Sequence, residues 1–285
     1  MQLVALTHDL LGDPFWEPFV AGLSESGRDA RCVVRHLRPE TYSIDALLQL
    51  TREAIAMQPD GLITTLPAPE QQHGLLKDAI QGGLAVGVLN TFDRRPVGER
   101  LATVFRVGGD DYEGGRIAAD HLIALGAAGP SLVLDHYRVR NSCHAARIEG
   151  FVGRMAELGW AAEILALDTL EANVARQIEA ALNRRSFASA LTLGPPGFDL
   201  LSASIKIYKT PPLHVTFDVT PTSLDALAAN ELAGIIDCQP YLQGYLGVVL
   251  MAQHLRRNCS PIADVLTGPR LLRAQSASFR LKFFD

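Results

Sequence analysis

The sequence predicts an α/β fold with parallel sheets, arranged as two lobes. Short apolar runs alternate with periodic segments of about 12 residues, the pattern of strand–helix–strand units. Several apolar runs end on a polar side chain, as in HVTFD, which ends at Asp218. With 285 residues and a hydrophobic fraction of 48%, the chain is long and apolar enough to fill two cores.

The first part of the chain repeats strand and helix three times before a fourth strand. After the first strand, LVALT, Asp13 is a cap for free backbone N–H groups and Pro14 suits the first helical turn. Gln58-Pro59-Asp60-Gly61 and Gly82-Gly83 stop the next two helices. Strands are predicted at residues 3–7, 30–35, 62–65 and 85–89, and helices at 15–26, 43–57 and 70–81.

The same rhythm continues after residue 101. Asp111 is a predicted N-cap and Gly126 a predicted helix end. Gly114 and Gly115 disfavour a helix energetically, so close packing against a neighbouring backbone is expected there. Gly194-Pro195-Pro196-Gly197 is predicted to form a turn at a strand end. Extended segments or strands are predicted at 101–107, 131–135, 162–166, 190–193, 214–217 and 233–236, helices at 112–125, 148–158, 171–183, 199–207, 223–229 and 241–254, and a strand or extended crossover in the tail 266–284.

Polar side chains at strand ends are the clearest candidates for a binding site. Asp218 ends one apolar run, Asp237 and Gln239 follow the next, and Asn90 ends an earlier one. In open α/β sheets, small ligands bind beyond the carboxyl ends of the strands. The Asn90 amide offers both a donor and an acceptor, as a hydroxyl-rich ligand requires, although an Asn-Thr turn would also explain it.

Two adjacent aromatic residues open the first helix. Neighbouring helical residues point about 100° apart, so Phe15 and Trp16 are not expected to bury in the same core. At least one ring is therefore predicted to face the ligand cleft. The alternative is that both rings only wedge the helix against the sheet.

The polar loop HYRVRNSCHAAR follows the strand at 131–135 and is a second candidate recognition segment. Arg140 and Asn141 are its first candidates for ligand contact, whereas Arg147 is predicted to make a structural ion pair. The full set of candidates is His136, Arg138, Arg140, Asn141, His144 and Arg147.

Several function classes are disfavoured by what the sequence lacks. A formal charge of −5 without a Lys/Arg cluster argues against nucleic-acid binding. The four cysteines have no CxxC or zinc-ligand spacing, so free thiols are expected, with a disulfide as the alternative. No phosphate loop, GxSxG, HExxH or dinucleotide fingerprint is present, and no apolar run approaches the roughly 18 residues of a membrane span. The sequence therefore predicts neither an enzyme nor a cofactor or metal site.

The order of motifs resembles one family along nearly the whole chain. The family is the type I periplasmic sugar-binding proteins, of which ribose-binding protein is the prototype, together with the related ligand-binding core of lac-repressor-type regulators. The motifs that carry the resemblance are DPFW from Asp13, Asn90, VGGDDYEGGRIAADHLIALG from Val107, HAARIEGF from His144, FDVTP from Phe217 and DCQPYLQGYLG from Asp237.

The resemblance implies two α/β sandwich lobes joined by a three-strand hinge, with the ligand in the cleft between them. It assigns residues 1–105 and 238–267 to the N-terminal lobe and 106–237 and 268–285 to the C-terminal lobe. Phe15 and Trp16 are then sugar-stacking platforms, and Asn90, Asp218 and Gln239 are hydroxyl partners. The implied ligand-binding set is Asp13, Phe15, Trp16, Asn90, Arg140, Asn141, Asp218 and Gln239.

The implied function is capture of a sugar or similar polyhydroxylated ligand for the permease of a membrane ABC transporter, without catalysis. The alternative is the ligand-sensing core of a lac-repressor-type regulator or of a sensory receptor system. The sequence shows no signal peptide before the first strand, which by itself leaves the compartment open. The family resemblance implies the periplasm for a transport protein and the cytoplasm for a regulator core. Ala145 and Gly194 stand where relatives often carry arginine and a polar residue, which leaves the sugar unspecified.

Overall fold

The computed structural model describes residues 1–9, 13–136, 141–167, 173–206 and 208–274. Its strands and helices divide between two compact units. The first unit contains Met1–Asp110, Asn141–Cys143 and Gln239–Gly268, and the second contains the other described residues. The sequence-based bounds differ from these at residues 106–110, 141–143, 238 and 268.

The elements alternate along the chain as the sequence pattern predicts. The strands are β1 (Gln2–Leu6), β2 (Val33–Leu37), β3 (Gly61–Thr65), β4 (Ala85–Asn90), β5 (Phe105–Gly109), β6 (Ser131–Asp135), β7 (Ala162–Ala166), β8 (Ser189–Thr192), β9 (Leu213–Phe217), β10 (Gly234–Asp237), β11 (Val265–Gly268) and β12 (Arg270–Leu272). The helices are α1 (Trp16–Asp29), α2 (Ile44–Ala56), α3 (Pro69–Gln81), α4 (Asp111–Ala124), α5 (Ser142–Glu157), α6 (Val174–Arg184), α7 (Pro195–Ile205), α8 (Pro221–Ala228) and α9 (Pro240–Arg257), with a 3₁₀ turn at Val97–Glu99.

The first unit is built on a six-stranded sheet in the order β11-β5-β4-β3-β1-β2, in which every pair is parallel. Alternate residues of β1 serve opposite faces. Leu3 and Ala5 pack in one apolar cluster, and Val4 and Leu6 pack in another. Burial on both faces explains why LVALT reads as one continuous apolar run.

The second unit repeats the plan with the order β12-β10-β9-β8-β6-β7. Its pairs are parallel except β10 with β12, which is antiparallel. Val133 packs on one face of this sheet, and Leu132 and Leu134 pack on the other. Two six-stranded sheets with helices confirm the predicted fold class.

The predicted close packing against a neighbouring backbone is confirmed at Gly115 but is wrong for Gly114, which lies against the Phe217 ring. A β-carbon at Gly115 would clash with the backbone carbonyl of Arg147, and one at Gly150 would clash with the carbonyl of Tyr112. The two helices α4 and α5 therefore pack backbone to backbone at this point, which only glycine allows.

Most element boundaries differ from the sequence prediction by a few residues, as three cases show. Strand β2 starts at Val33 rather than at residue 30, because Arg31 adopts a left-handed turn conformation with φ of 51°. Helix α5 starts at Ser142, six residues before the predicted start at 148. The predicted Gly-Pro-Pro-Gly turn is instead the first turn of α7, with Pro195 in the first helical position, where its missing N–H costs nothing.

Candidate functional site

Three of the predicted ligand residues share an unusual backbone conformation. Asn90 has φ of 68°, Asp218 of 69° and Gln239 of 54°, all in the left-handed region. This region costs an L-residue roughly 1–2 kcal/mol and is tolerated best by Asn and Asp. Strained residues of this kind persist where the surrounding structure holds them, and they concentrate at binding sites.

In the first unit, Asn90 and Gln239 are held by neutral hydrogen bonds. The Asn90 amide Nδ2 donates to Gln243 Oε1 at 3.1 Å, and both side chains are buried. The Gln239 amide Nε2 donates to the carbonyl oxygen of Thr267 at 2.5 Å. Gln239 directly precedes α9, and Gln243 lies in the first turn of that helix. The start of α9 therefore carries both Gln239 and the side chain that binds Asn90.

His8, which the sequence analysis did not select, lies among predicted site residues of the first unit. Its Nδ1 is 2.9 Å from Thr65 Oγ1, and its Nε2 is 3.3 Å from Asn141 Nδ2. Because the Asn141 amide N–H₂ donates, Nε2 accepts and the ring carries its proton on Nδ1. Burial lowers the pKa of His8 to about 3, so the ring is neutral at physiological pH.

Aromatic rings surround His8 on two sides. The Trp16 ring meets it edge to face at a centroid distance of 5.0 Å, and the Tyr42 ring lies tilted at 5.7 Å. The Tyr42 hydroxyl is buried and has no hydrogen-bond partner among the described residues. Burial, and to a smaller degree Cys143, raises the pKa of Tyr42 to about 12, so this hydroxyl stays protonated.

The expectation that Phe15 and Trp16 would not bury together is wrong. Both side chains are 6% exposed and belong to one apolar cluster with Phe19, Leu3 and Val248. The Phe15 and Trp16 rings meet edge to face at 5.0 Å, an arrangement that brings adjacent residues into the same core. Their role as sugar-stacking platforms stays a prediction.

Asp13 acts on the backbone that leads into α1. Its Oδ1 accepts from the Phe15 N–H at 3.0 Å, and its carbonyl oxygen accepts from the Trp16 N–H at 3.1 Å. The carboxylate therefore holds the turn that carries both aromatic residues, although the helix itself begins only at Trp16.

In the second unit, a buried arginine organises the strand ends. Arg147 Nε donates to Asp111 Oδ1 at 2.8 Å, and Nη1 donates to Asp218 Oδ2 at 3.1 Å and to the Leu193 carbonyl oxygen at 2.6 Å. The guanidinium also lies 4.2 Å from the centroid of the Phe217 ring. All three charged side chains are at most 7% exposed.

Arg147 thus makes the ion pair that the sequence predicts, but with partners that place it beside a predicted ligand residue. Its contacts fix the Asp218 carboxylate at the end of β9 and join the ends of β8 and β9. A charge-assisted, multiply bonded guanidinium is the group that holds a buried carboxylate most firmly. The second unit therefore has a buried arginine at its strand ends, Arg147, even though position 145, where relatives often carry arginine, is alanine.

A second ion pair lies at the end of β10. Arg270 Nη2 donates to Asp237 Oδ2 at 2.5 Å, which ties β10 to the antiparallel strand β12. Cys238, the next residue, is buried, and burial followed by the nearby carboxylates raises its pKa well above the usual value. Such a thiol is unreactive. All four cysteines are free thiols, as the main expectation held.

The polar loop after β6 divides between two structural contexts. Asn141 is buried in the first unit, beside His8. His136 is buried in the second unit and packs against Gly197 of α7, and burial lowers the pKa of His136 to about 4. Arg138 and Arg140 lie outside the described residues, so the predicted contact of Arg140 stays a prediction.

Comparison with protein families identifies the chain's relatives. The sequence profile of a family described as "Periplasmic binding protein domain" matches residues 4–258. No curated protein sequence matches significantly. Within the described residues, no helix is long and apolar enough to cross a membrane, and no cluster of three metal-ligating side chains is found.

Solved structures share the fold at low sequence identity. A carbohydrate transporter protein from Acidothermus cellulolyticus, in complex with myo-inositol, superposes with a TM-score of 0.88 at 20% identity and covers 99% of this chain and 97% of its own. An Agrobacterium vitis solute-binding protein bound to α-D-tagatopyranose gives 0.84 at 21%, covering 98% and 97%. A protein described as a LacI transcriptional regulator, from Bacteroides fragilis, gives 0.84 at 16%, covering 98% of each chain.

Proposed function

The chain belongs to the periplasmic binding protein domain family, and on that premise we propose that it is a solute-binding protein that captures a sugar or similar small polyhydroxylated ligand for an ABC transporter. The observation that carries the proposal is the set of amide and carboxylate residues held in the left-handed conformation at strand ends, Asn90, Asp218 and Gln239. Their side chains supply the donors and acceptors that sugar hydroxyls match.

The chemistry of the surrounding residues supports a neutral, hydroxyl-rich ligand. In the first unit, His8 is an uncharged imidazole beside the amide of Asn141 and the ring of Trp16. In the second unit, the two carboxylates Asp111 and Asp218 bind Arg147. Buried polar groups of this kind favour a ligand that forms a hydrogen bond with each, because an unmatched group would cost free energy.

Ligand binding is tested first by thermal unfolding with a panel of sugars and polyols. The panel contains myo-inositol, D-tagatose, L-arabinose, D-glucose and D-galactose, with amino acids as a negative set. A ligand that binds only the folded state at 100 times its Kd stabilises that state by about 2.7 kcal/mol and raises Tm. If no sugar or polyol raises Tm while another solute does, the sugar proposal is wrong.

Calorimetry with the best ligand then tests the strand-end residues. We expect Asp218→Asn, which keeps the shape but removes the charge, to weaken Kd at least tenfold. Asp120→Asn, on the exposed face of α4 in the same unit, is the matched control and leaves Kd unchanged. Equal affinities for the two variants would remove Asp218 from the ligand site.

We also propose that the protein catalyses no reaction and works in the periplasm, as its family description suggests. The Asp111 and Asp218 carboxylates are bound to Arg147 rather than placed as an acid–base pair. Incubation of each panel sugar with the protein, followed by chromatography, is expected to return the sugar unchanged.

A second candidate function is ligand sensing in a regulator core or a receptor system. The similarity to the Bacteroides fragilis regulator, and to a structure described as the XylFII-LytSN complex, with a TM-score of 0.84 at 17% identity, favours this alternative. A lac-repressor-type core is expected to form a stable dimer. Light scattering that shows a monomer at micromolar concentration would contradict the regulator core.

A further inference from the structure

A chain of polar side chains runs through the interior of the second unit. His214, Thr192 and Thr216 lie on neighbouring strands β8 and β9 and are at most 1% exposed. Thr192 Oγ1 is 2.8 Å from His214 Nε2 and 2.8 Å from Thr216 Oγ1. Valine has the shape of threonine, so packing alone does not require these two hydroxyls.

The hydrogen bonds have one consistent direction. Thr216 Oγ1 donates to the Phe217 carbonyl oxygen at 3.1 Å, and Thr192 Oγ1 donates to Thr216. A hydroxyl has one proton, so Thr192 accepts from His214, whose proton therefore lies on Nε2. Burial lowers the pKa of His214 to about 3, so the ring stays neutral, and it stacks on Phe198 at a centroid distance of 5.8 Å.

The chain ends at the peptide group that leads into Asp218. The carbonyl oxygen of this group accepts from Thr216, and its N–H, on Asp218, donates to the Ile236 carbonyl oxygen at 2.9 Å. Both polar atoms of one peptide plane are thus held. The orientation of that plane sets φ of Asp218, which is 69°.

We propose that His214, Thr192 and Thr216 are positioning residues that hold Asp218 in its left-handed conformation, with its carboxylate on Arg147, ready for ligand. They touch no ligand themselves and act through the backbone of Phe217. The ligand-binding part of this proposal rests on the proposed function, whereas the conformational part does not.

The affinity test uses threonine variants that keep side-chain shape. Thr216→Val removes the bond to the Phe217 carbonyl and is expected to weaken Kd for the best panel sugar five- to twentyfold. Thr192 lies one hydrogen bond further from Asp218, so Thr192→Val is expected to weaken Kd two- to fivefold. Thr192→Ser, which keeps the hydroxyl, is expected to give a Kd within twofold of wild type.

Thr51→Val is the matched control. Thr51 is 0% exposed and its hydroxyl donates to the Leu47 carbonyl oxygen at 2.8 Å within α2, in the first unit. This variant loses a buried hydroxyl bond, and with it some stability, but is expected to keep the wild-type Kd. If Thr216→Val changes Kd no more than Thr51→Val, the positioning proposal is overturned for binding.

A ligand-free measurement keeps the proposal testable if no panel sugar binds. Hydrogen exchange at the Asp218 amide is expected to be at least tenfold faster in Thr216→Val than in wild type and unchanged in Thr51→Val. Unchanged Asp218 exchange in Thr216→Val would overturn the conformational part. Faster exchange with no sugar bound would support it while counting against the proposed ligand class.

Discussion

The two units hold the residues of the candidate site with different chemistry. In the first unit these residues pair as neutral groups, the Asn90 amide with Gln243 and His8 with Thr65, while the buried carboxylates Asp9 and Asp93 pair with arginines outside the candidate site. In the second unit charged groups pair: the buried Arg147 with two buried carboxylates, and the partly exposed Arg270 with the buried Asp237. Loss of one neutral partner costs about 1–3 kcal/mol, whereas loss of one charged partner leaves a buried ion and costs about 3–5 kcal/mol. We therefore expect the second unit to be the more sensitive to single substitutions.

The largest effect is expected from Arg147→Met. The change keeps an unbranched, flexible side chain but leaves Asp111 and Asp218 as two buried carboxylates without their shared cation. Urea unfolding should show a loss of about 3–5 kcal/mol. The control, Arg154→Met, alters a surface network with Asp120 and Glu157 and should change stability little. Equal losses for the two variants would show that the buried ion pairs of the second unit stabilise it no more than its surface pairs do.

Acid is expected to act on both units through their neutral histidines. His8 in the first unit and His214 in the second have pKa values lowered to about 3 from 6.5. Between those values the unfolded chain binds more protons, so stability is full above pH 6.5 and is lost as pH falls toward 3. Each such group contributes a slope of up to about 1.4 kcal/mol per pH unit.

The histidine variants separate the two contributions. His214→Leu should recover about 2 kcal/mol of the loss between pH 6.5 and pH 5, measured by urea unfolding at each pH. His8→Gln should flatten the profile in the same direction. Thr51→Val, which removes a buried hydroxyl and no titrating group, is the control and should follow the wild-type pH profile. A profile that neither buried-site variant flattens would show that both imidazoles charge freely in the folded protein.

A smaller effect is expected at Asn90, where side chain and backbone are tested together. Asn90→Gly loses the amide bond to Gln243 but suits φ of 68°. Asn90→Ala loses the same bond and also places a β-carbon in the left-handed region. The alanine variant should therefore be less stable than the glycine variant by about 1 kcal/mol in urea unfolding. The reverse order would show that no backbone strain is held at this strand end.

Most of the fold follows from the sequence pattern, and the exceptions have physical causes. The buried strand β6 reads as a short apolar run and is predicted at its observed bounds, and so is the partly exposed edge strand β7. The start of α5 is missed because Cys143, His144 and Arg147 are buried there in place of apolar residues, which hides the helical period. The Arg147 guanidinium is buried there because partners distant in sequence accept its hydrogen bonds.

The candidate site is predictable to the extent that it obeys the strand-end rule. Asn90, Asp218 and Gln239 stand directly at or after apolar runs, and the structure holds each of them in the left-handed conformation. His8 also stands just after a strand, β1, so the strand-end rule applies to it as well. The central role of Arg147 in the second unit cannot be predicted from the sequence, because its partners lie 36, 46 and 71 residues away.

The smallest effect on stability is expected from Tyr42→Phe. The Tyr42 hydroxyl is buried without a partner in the part of the chain that the structure describes, so its removal should leave the free energy of unfolding unchanged or raise it by up to about 1 kcal/mol. Tyr208→Phe, which loses a bond from the hydroxyl to Asn183 Oδ1, is the control and should not gain stability. If Tyr42→Phe is stable but binds the best sugar more weakly, the hydroxyl is a ligand contact beside His8 and Trp16. The neutral chemistry of the first unit would then extend to a residue on the β2–α2 loop. A clear loss of stability would instead show that the hydroxyl serves the fold, and Tyr42 would leave the candidate site.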